Sequence, residues 1–111
     1  MESLPAIEFE FFDLIKDAKD WEITNELPPE HVFDKDEFWP HLKGMIEWQW
    51  GGKEGPLLSN GFANIFYVRD RTSEVFKVFA DWCADDRRWN VNASPLYGDR
   101  WNPGPRAFAR D

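Results

Sequence analysis

The second half of the chain consists of short apolar stretches separated by turns, and this pattern restricts the fold more than any other feature of the sequence. Residues 62–68 are apolar on both faces, which is typical of a central strand. Residues 75–83 and 89–93 alternate apolar with polar side chains, as half-buried strands do. Residues 106–110 complete the series as a last short strand. We therefore predict an antiparallel sheet of four to five strands, connected as a meander of hairpins.

The stretch just before this sheet is compatible with two structures. Ile46, Trp48 and Trp50 alternate with Glu47 and Gln49. These residues follow a helical segment, so they either continue that helix or begin a strand. The alternation favours a strand.

The first third of the chain is predicted to be helical. Its apolar residues recur at intervals of three and four, the spacing of one buried helical face. They are Ile7, Phe11, Leu14, Ile15 and Ala18. Ser3 has the chemistry of an N-cap, and Pro5 suits a first helical turn, where its missing N–H costs nothing. The spacing predicts a helix over residues 4–20.

A second, shorter helix is predicted to begin after Asp34. Asp34 and Glu37 have the spacing of a capping box, in which two side chains satisfy free N–H groups of the first turn. Phe38, Trp39 and Leu42 would form the buried side of this helix.

Together these elements predict an α+β fold in a single domain over residues 1–111. An acidic helical part, residues 1–43, would pack on a β part rich in tryptophan and arginine, residues 44–111. Aromatic residues make up 17% of the chain, and their large rings supply the buried area that a short chain needs. The expected fold is a helical N-terminal third packed on an antiparallel sheet.

The negative charge of the chain is concentrated in its first third. The formal net charge is −8. Residues 1–43 hold twelve Asp or Glu against four Lys, whereas the remaining residues are neutral overall and carry all seven Arg. Nucleic acid and anionic membrane surfaces repel a protein of this charge. We therefore expect neither as a direct partner.

The sequence indicates a cytoplasmic protein. Its acidic beginning lacks the basic segment that opens a signal peptide. No apolar run approaches the roughly 20 residues that cross a bilayer. Cys83 is the only cysteine, which excludes an internal disulfide and suits a reducing compartment.

No catalytic or metal-binding motif is recognisable. The chain lacks a phosphate-binding glycine loop, a nucleophile elbow and the paired-histidine zinc motif. A zinc site needs three or four converging ligands, and His31, His41 and Cys83 have no local spacing that would bring them together. Cys83 is better explained as a small apolar residue at a strand end. We therefore predict a protein that is not an enzyme and that uses neither a metal nor a cofactor.

The main candidate for a binding surface is an acidic stripe on the predicted N-terminal helix. Four carboxylates fall on one side of that helix, at roughly 100° per residue. They are Glu10, Asp13, Asp17 and Asp20, with Phe9 and Phe12 beside them as apolar anchors. The simplest alternative is a solvated helix face. We expect an acidic binding protein that docks on a basic partner, such as an inhibitor occupying the phosphate-binding surface of a nucleic-acid enzyme.

A second candidate is a platform for a small ligand or a carbohydrate. Flat apolar rings combined with amides suit an array of hydroxyl groups. The candidate residues are Trp89, Asn90, Asn92, Trp101 and Asn102. Against this, rings at alternate strand positions usually face the core. A third interpretation is a structural subunit that self-associates as a homo-oligomer through exposed aromatic residues.

Overall fold

The computed structural model of the chain describes residues 9–25, 32–96 and 100–110, apart from the side chains of Trp21, Thr24 and Asn25. Within these residues the strands are β1 (Phe9–Asp13), β2 (Ala18–Lys19), β3 (Phe33–Asp34), β4 (Asn64–Arg69), β5 (Val75–Cys83), β6 (Arg88–Pro95), β7 (Arg100–Trp101) and β8 (Arg106–Arg110). The helices are α1 (Asp20–Asn25) and α2 (Lys35–Trp48).

Six strands form one mixed sheet. Five of them follow the order β1-β8-β4-β5-β6, and β3 pairs in parallel with the second half of β4. β8 lies inside the sheet, antiparallel to β1 and parallel to the first half of β4. β2 and β7 form a separate antiparallel pair.

The strand positions predicted for the second half are confirmed, but the antiparallel arrangement is wrong. β5 and β8 have the predicted bounds, and β4 is a central strand with five of its six residues buried. The parallel pair of β4 and β8 arises because the chain crosses back after β6 and inserts β8 between β1 and β4, whereas β3 and β4 are parallel strands connected by α2. Ala107, Phe108 and Ala109 of β8 are buried on both faces, and an interior position satisfies this requirement.

The predicted helix over residues 4–20 is wrong in its described part, and with it the helical N-terminal third. Residues 9–13 form β1, whereas Ser3 and residues 4–8 lie outside the described residues. Phe9 and Phe11 occupy alternate positions of β1, and both rings pack on Phe108 of β8, with centroids 5.8 and 5.6 Å away. This contact with a strand near the other end of the chain overrides the local helical spacing.

The second predicted helix is confirmed as α2, although its start is not capped as expected. Asp34 occupies the N-cap position but makes no hydrogen bond through its side chain. Glu37 instead pairs with Arg110 of β8, at 2.5 Å. Phe38 is buried as predicted, whereas Trp39 is 37% exposed.

The strand favoured for residues 45–50 is wrong, because α2 continues to Trp48. Leu42 and Met45 are buried one helical turn apart, and Ile46 packs beside them. The backbone N–H of Gln49 then donates to the carbonyl oxygen of Met45 (3.1 Å), which closes the last turn. The apolar residues spaced three and four apart therefore decide the structure of this segment as a helix, and the alternation of Ile46, Trp48 and Trp50 does not.

The main sheet separates two buried layers that differ in chemistry. We call the layer under α2 the helix-side layer; its buried residues are Phe33, Phe38, Leu42, Met45, Leu57, Phe66, Val68, Val78 and Phe108. The layer on the other face lies under α1 and the two-stranded sheet, and includes Ile23, Val32, Ile65, Tyr67, Ala107 and Ala109. We call it the polar-side layer because it also encloses Asp20 and Lys77.

Candidate binding sites

The four carboxylates of the predicted stripe are spread over different environments. Glu10 is exposed on β1, and Asp17 is exposed in the loop between β1 and β2. Asp13 ends β1, and Asp20 is fully buried at the start of α1. Residues three or four positions apart share one face of a helix, but this spacing does not bring them together when the segment is a strand followed by a loop. A partner protein can therefore reach Glu10, Asp13 and Asp17, but not Asp20.

Asp13 already has a partner within the chain. Arg106 donates hydrogen bonds from Nε to Oδ1 (2.6 Å) and from its terminal nitrogen to Oδ2 (3.2 Å). These hydrogen bonds hold the pKa of Asp13 below its usual value. The same guanidinium lies 4.1 Å from the centre of the Phe11 ring. Asp13 therefore contributes little free charge to a surface.

A groove between β1 and α1 nevertheless retains acidic and apolar groups. Its volume is about 160 Å³. We call it the acidic groove, lined by Phe12, Asp13, Leu14, Ile15, Lys16, Asp17, Ala18, Glu22 and Ile23. Phe12 is 39% and Ile15 is 87% exposed. Phe9 faces away from this groove, towards Phe108 in the helix-side layer.

Asp20 is the centre of a buried polar network. Its Oδ2 accepts a hydrogen bond from Lys77 Nζ (2.8 Å), and its Oδ1 accepts from Tyr67 OH (2.9 Å) and Trp101 Nε1 (2.7 Å). The side chains of Lys77 and Asp20 are 2% and 1% exposed. Burial, together with the Asp20 carboxylate, raises the pKa of Tyr67 far above its usual value. Because the network is closed to solvent, it suits holding elements together better than binding a ligand.

The five residues of the predicted Trp/Asn platform do not share one surface. Trp89 lies opposite Trp82 in the β5–β6 ladder, on the side of the sheet that carries α2. Asn90 and Asn92 point to the other side, because side chains alternate along a strand. Trp101 also lies on that other side, held by Asp20, and exposed Asn102 follows it. The platform is therefore divided between two sites.

Trp89 belongs to an apolar pocket between the end of α2 and the β5–β6 hairpin. We call it the tryptophan pocket; its lining is Ile46, Trp50, Gly51, Trp82, Arg87, Arg88 and Trp89, and its volume is about 150 Å³. The rings of Trp82 and Trp89 pack edge to face, with centroids 5.5 Å apart. Trp50 is 71% exposed, although large rings are usually buried.

Gln49 holds one wall of this pocket in place. Its buried Nε2 donates to the carbonyl oxygens of Lys53 (2.8 Å) and Leu57 (2.9 Å), and its Oε1 accepts from the N–H of Leu57 (2.8 Å). Its own carbonyl oxygen accepts from Trp89 Nε1 (3.1 Å). The loop after α2 is therefore tied both to itself and to β6.

Gly52 allows this loop to approach β5. Its φ of +79° lies in the left-handed region, and a Cβ atom there would overlap the indole of Trp82. The close approach holds the backbone of this loop against the Trp82 ring. Contacts within the chain therefore hold this side of the pocket in position.

A wider depression lies beside Trp101 and Asn102. Its volume is about 330 Å³. Phe79 packs edge to face on Trp101 (5.6 Å between centroids), and Phe62 is 47% exposed at the same site. Asp81 and Arg100 add charged groups to the lining, which suits hydrogen bonding to a polar ligand.

His41 is buried in α2 without a polar partner. Neither of its ring nitrogens makes a hydrogen bond, and its ring packs edge to face on Phe9 (5.3 Å between centroids). Burial lowers the pKa of His41, and the carboxylate of Glu37 opposes this effect in part.

Metal ligands do not converge in the described part of the chain. Across residues 9–25, 32–96 and 100–110, no three His, Cys, Asp or Glu side chains are grouped to hold an ion. Cys83 contacts Asp86, with Sγ 3.7 Å from Oδ2, whereas His31 lies outside the described residues. Neither α1 nor α2 is long and apolar enough to span a bilayer.

Sequence reasoning missed most of the tryptophan pocket. It assigned residues 45–50 to a strand, which separates Trp50 from the hairpin that it approaches. The pairing of Trp82 with Trp89 depends on the turn over residues 84–87, because a turn one residue later, over residues 85–88, would place Trp82 opposite Val91 instead. The approach of the loop after α2 depends on buried Gln49, for which no local pattern exists.

Comparisons with protein-family models, with curated proteins and with solved structures found no match for this chain. Its function must therefore be inferred from the sites themselves.

Proposed function

We propose that this chain is a non-catalytic cytoplasmic binding protein that docks on a basic partner protein through the acidic groove. The observation that carries this proposal is Ile15. At 87%, it is the most exposed large apolar side chain among the described residues, and it lies in the same groove as Asp17 and Glu22. Apolar groups surrounded by charge are typical of surfaces that bind other proteins.

The charge of the groove supports a basic partner. Asp17 and Glu22 contribute carboxylates against the single amine of Lys16. Glu22 is oriented by the backbone N–H of Lys19, which donates to its Oε1 (3.0 Å). Because the negative charge of the chain is concentrated in residues 1–43, the long-range field attracts a basic protein to this part of the surface.

The strand beside the groove offers a second element of recognition. Among the described strands β1 pairs with β8 alone and stands at one end of the strand order. Glu10 and Phe12 occupy the face of β1 that is turned towards the groove. An extended basic segment can add to this edge through backbone hydrogen bonds while one of its apolar side chains enters the groove.

The test compares two triple variants. The groove variant carries Ile15→Ser, Asp17→Asn and Glu22→Gln. The control variant makes the same kind of changes elsewhere on the exposed surface, through Glu47→Gln, Glu54→Gln and Val91→Ser. Asp20 is left intact in both, because it is buried in the polar network.

We expect the parent and the control variant to capture the same basic protein from a lysate of the native host at low salt. The groove variant should fail to capture it, and high salt should release it. The purified partner should then bind the parent and the control with equal affinity. Equal loss in both variants, or capture that is indifferent to salt, would contradict the proposal.

A small-ligand or carbohydrate function is the second candidate, favoured by the depression beside Trp101. The exposed ring of Phe62 lines this depression together with Asn102 and Asp81. A ring with hydrogen-bonding groups at its edge suits a sugar. Titration with a panel of mono- and oligosaccharides should then shift the Phe62 and Asn102 resonances in an NMR spectrum, and Phe62→Ala should abolish binding. An unchanged spectrum throughout the panel would exclude this function.

A further inference from the structure

The tryptophan pocket is formed by parts of the chain that have no role in the acidic groove. Its walls come from the end of α2, the following turn and the β5–β6 hairpin, whereas the groove lies between β1 and α1. Gln49 and Gly52 hold these walls in position by the hydrogen bonds and the close approach described above. The pocket therefore requires an explanation of its own.

The size and the walls of the pocket suit one flat ring. A dry apolar cavity of about 150 Å³ is large enough to bind benzene. The edge-to-face pair of Trp82 and Trp89 presents an aromatic wall, and a further ring can extend this arrangement. Exposed Trp50 provides a second aromatic surface that a ligand would cover.

The charged residues at the pocket suit an anion. Arg87 and Arg88 line it, and none of the acidic side chains that the structure describes does. Arg88 makes a long contact of 3.8 Å with Asp86, in which both side chains are largely exposed. A guanidinium group recognises a carboxylate through two parallel hydrogen bonds.

An aromatic pocket alone is also compatible with a cation, because ring faces attract quaternary ammonium groups. Two guanidinium groups at the same site repel such a ligand. We propose that the tryptophan pocket binds a small molecule made of one aromatic ring bearing a carboxylate. The ring lies against Trp50, Trp82 and Trp89, and the carboxylate contacts Arg87 and Arg88.

The test uses three probes of similar size and different charge, which are phenylacetate, phenylacetamide and benzyltrimethylammonium. Binding is followed through the indole N–H resonances of the tryptophans in NMR spectra. A ligand of this size binds with a Kd on the order of 1–10 mM when its fit is good. Trp101 serves as an internal reference, because its N–H is held by buried Asp20 on the other side of the sheet.

We expect phenylacetate to shift the resonances of Trp50 and Trp89 but not that of Trp101. Phenylacetamide should bind about tenfold more weakly, as a lost charge-assisted hydrogen bond predicts, and benzyltrimethylammonium should not bind. Trp50→Ala should weaken phenylacetate binding about tenfold or more. Trp48→Ala is the matched control, since Trp48 is 52% exposed and does not line the pocket.

The arginines are tested with Arg87→Asn and Arg88→Gln together. Asn tolerates the left-handed conformation that Arg87 adopts, with φ +53°. This double variant should remove the preference for phenylacetate over phenylacetamide and leave phenylacetamide binding unchanged. Arg71→Gln, at an exposed arginine remote from the pocket, should preserve the preference.

Four results would overturn the proposal. The first is no shift of Trp50 or Trp89 at about 50 mM phenylacetate, well above the Kd expected for such a ligand. The second is that phenylacetamide or benzyltrimethylammonium binds as tightly as phenylacetate, or more tightly. The third is equal weakening by Trp48→Ala and Trp50→Ala. The fourth is much tighter binding of a capped Asp-Phe-Asp peptide, which would assign the pocket to a partner protein instead.

Discussion

The helix-side and polar-side layers of the main sheet are closed by opposite means. In the helix-side layer, apolar rings pack on one another; Phe66 and Phe108, for example, stack with centroids 4.6 Å apart. In the polar-side layer, the ion pair of Asp20 and Lys77 is enclosed at the same depth. Apolar burial stabilises the fold in proportion to the area that is buried. A buried charge stabilises it only when its ion pair and hydrogen-bond partners are all present.

The difference follows from the size of the covering elements. α2 has 14 residues and supplies a continuous apolar face. α1 has six residues, and β2 and β7 have two each, so they can bury little apolar area. Asp20 compensates by linking four elements, because it belongs to α1 and its partners belong to β4, β5 and β7. A single carboxylate thus connects four elements of this layer.

The largest expected effect is the difference in stability between two conservative substitutions, one made in each layer. Lys77→Met keeps the length of the side chain but leaves the Asp20 carboxylate buried without its counter-charge. We expect it to lower the free energy of unfolding by about 3–5 kcal/mol. Met45→Leu, in the helix-side layer, should cost less than about 1.5 kcal/mol. Urea unfolding monitored by circular dichroism measures both.

A double variant separates the lost ion pair from lost packing. Adding Asp20→Asn to Lys77→Met removes the unpaired charge and keeps an oxygen acceptor for Tyr67 and Trp101. The double variant should be less destabilised than the sum of the two single variants. Equal costs for Lys77→Met and Met45→Leu would show that the two layers do not differ as we argue.

A smaller effect is expected for Trp101→Phe. The substitution keeps an aromatic ring in place but removes the N–H that Asp20 Oδ1 accepts. Loss of one hydrogen bond to a buried charged group should cost about 1–3 kcal/mol. Trp48→Phe, at an exposed site, should change the stability by less than about 0.5 kcal/mol. Thermal unfolding of the two variants and the parent tests whether the cost is specific to the network.

His41 should make the helix-side layer sensitive to pH. Because burial lowers its pKa below the usual 6.5, the unfolded chain takes up a proton at a higher pH than the folded chain does. The stability contributed by neutral His41 is therefore complete above pH 6.5 and decreases as the pH falls below it. His41→Leu should flatten the dependence of unfolding free energy on pH between about 7 and 5.

The carboxylates with shifted pKa values affect stability in a lower pH range, so the slope between pH 7 and 5 tests His41 specifically. Asp13 and Asp70 have lowered pKa values because of hydrogen bonds, from Arg106 and from Thr72 respectively. Their contributions are present above the usual 3.8 and decrease as the pH falls further. An unchanged slope between pH 7 and 5 in His41→Leu would contradict the assignment to His41.

The smallest expected effect concerns the ion pair of Asp13 and Arg106. Although Arg106 is largely buried, the Asp13 side chain is 53% exposed, so water and salt screen the interaction. Asp13→Asn should cost about 0.2–1 kcal/mol, and less at high salt. Chemical denaturation at two salt concentrations measures this difference. A cost comparable to that of Lys77→Met would show that exposure does not decide the strength of ion pairs in this protein.

Sequence reasoning found the elements whose information is local. The alternation within residues 75–83 and the following turn were sufficient to place β5 and β6. β1 was missed because its strand conformation depends on Phe108, near the other end of the chain. Asp20 was assigned to the surface for the same reason. Carboxylates are usually exposed, and nothing in its neighbourhood along the chain indicates Lys77, Tyr67 or Trp101 as partners.

The interior position of β8 has a consequence for synthesis on the ribosome. Phe9 of β1 pairs with Arg110 of β8, so β1 cannot join the sheet until almost all of the intervening chain has been made. At about 5–20 residues per second, this interval lasts on the order of 5–20 s. During that time the phenylalanine-rich β1 segment has no strand partner, and unpaired apolar strands associate readily with other chains. Rapid completion of translation, or a chaperone that covers the nascent β1 segment, would therefore increase the yield of folded protein.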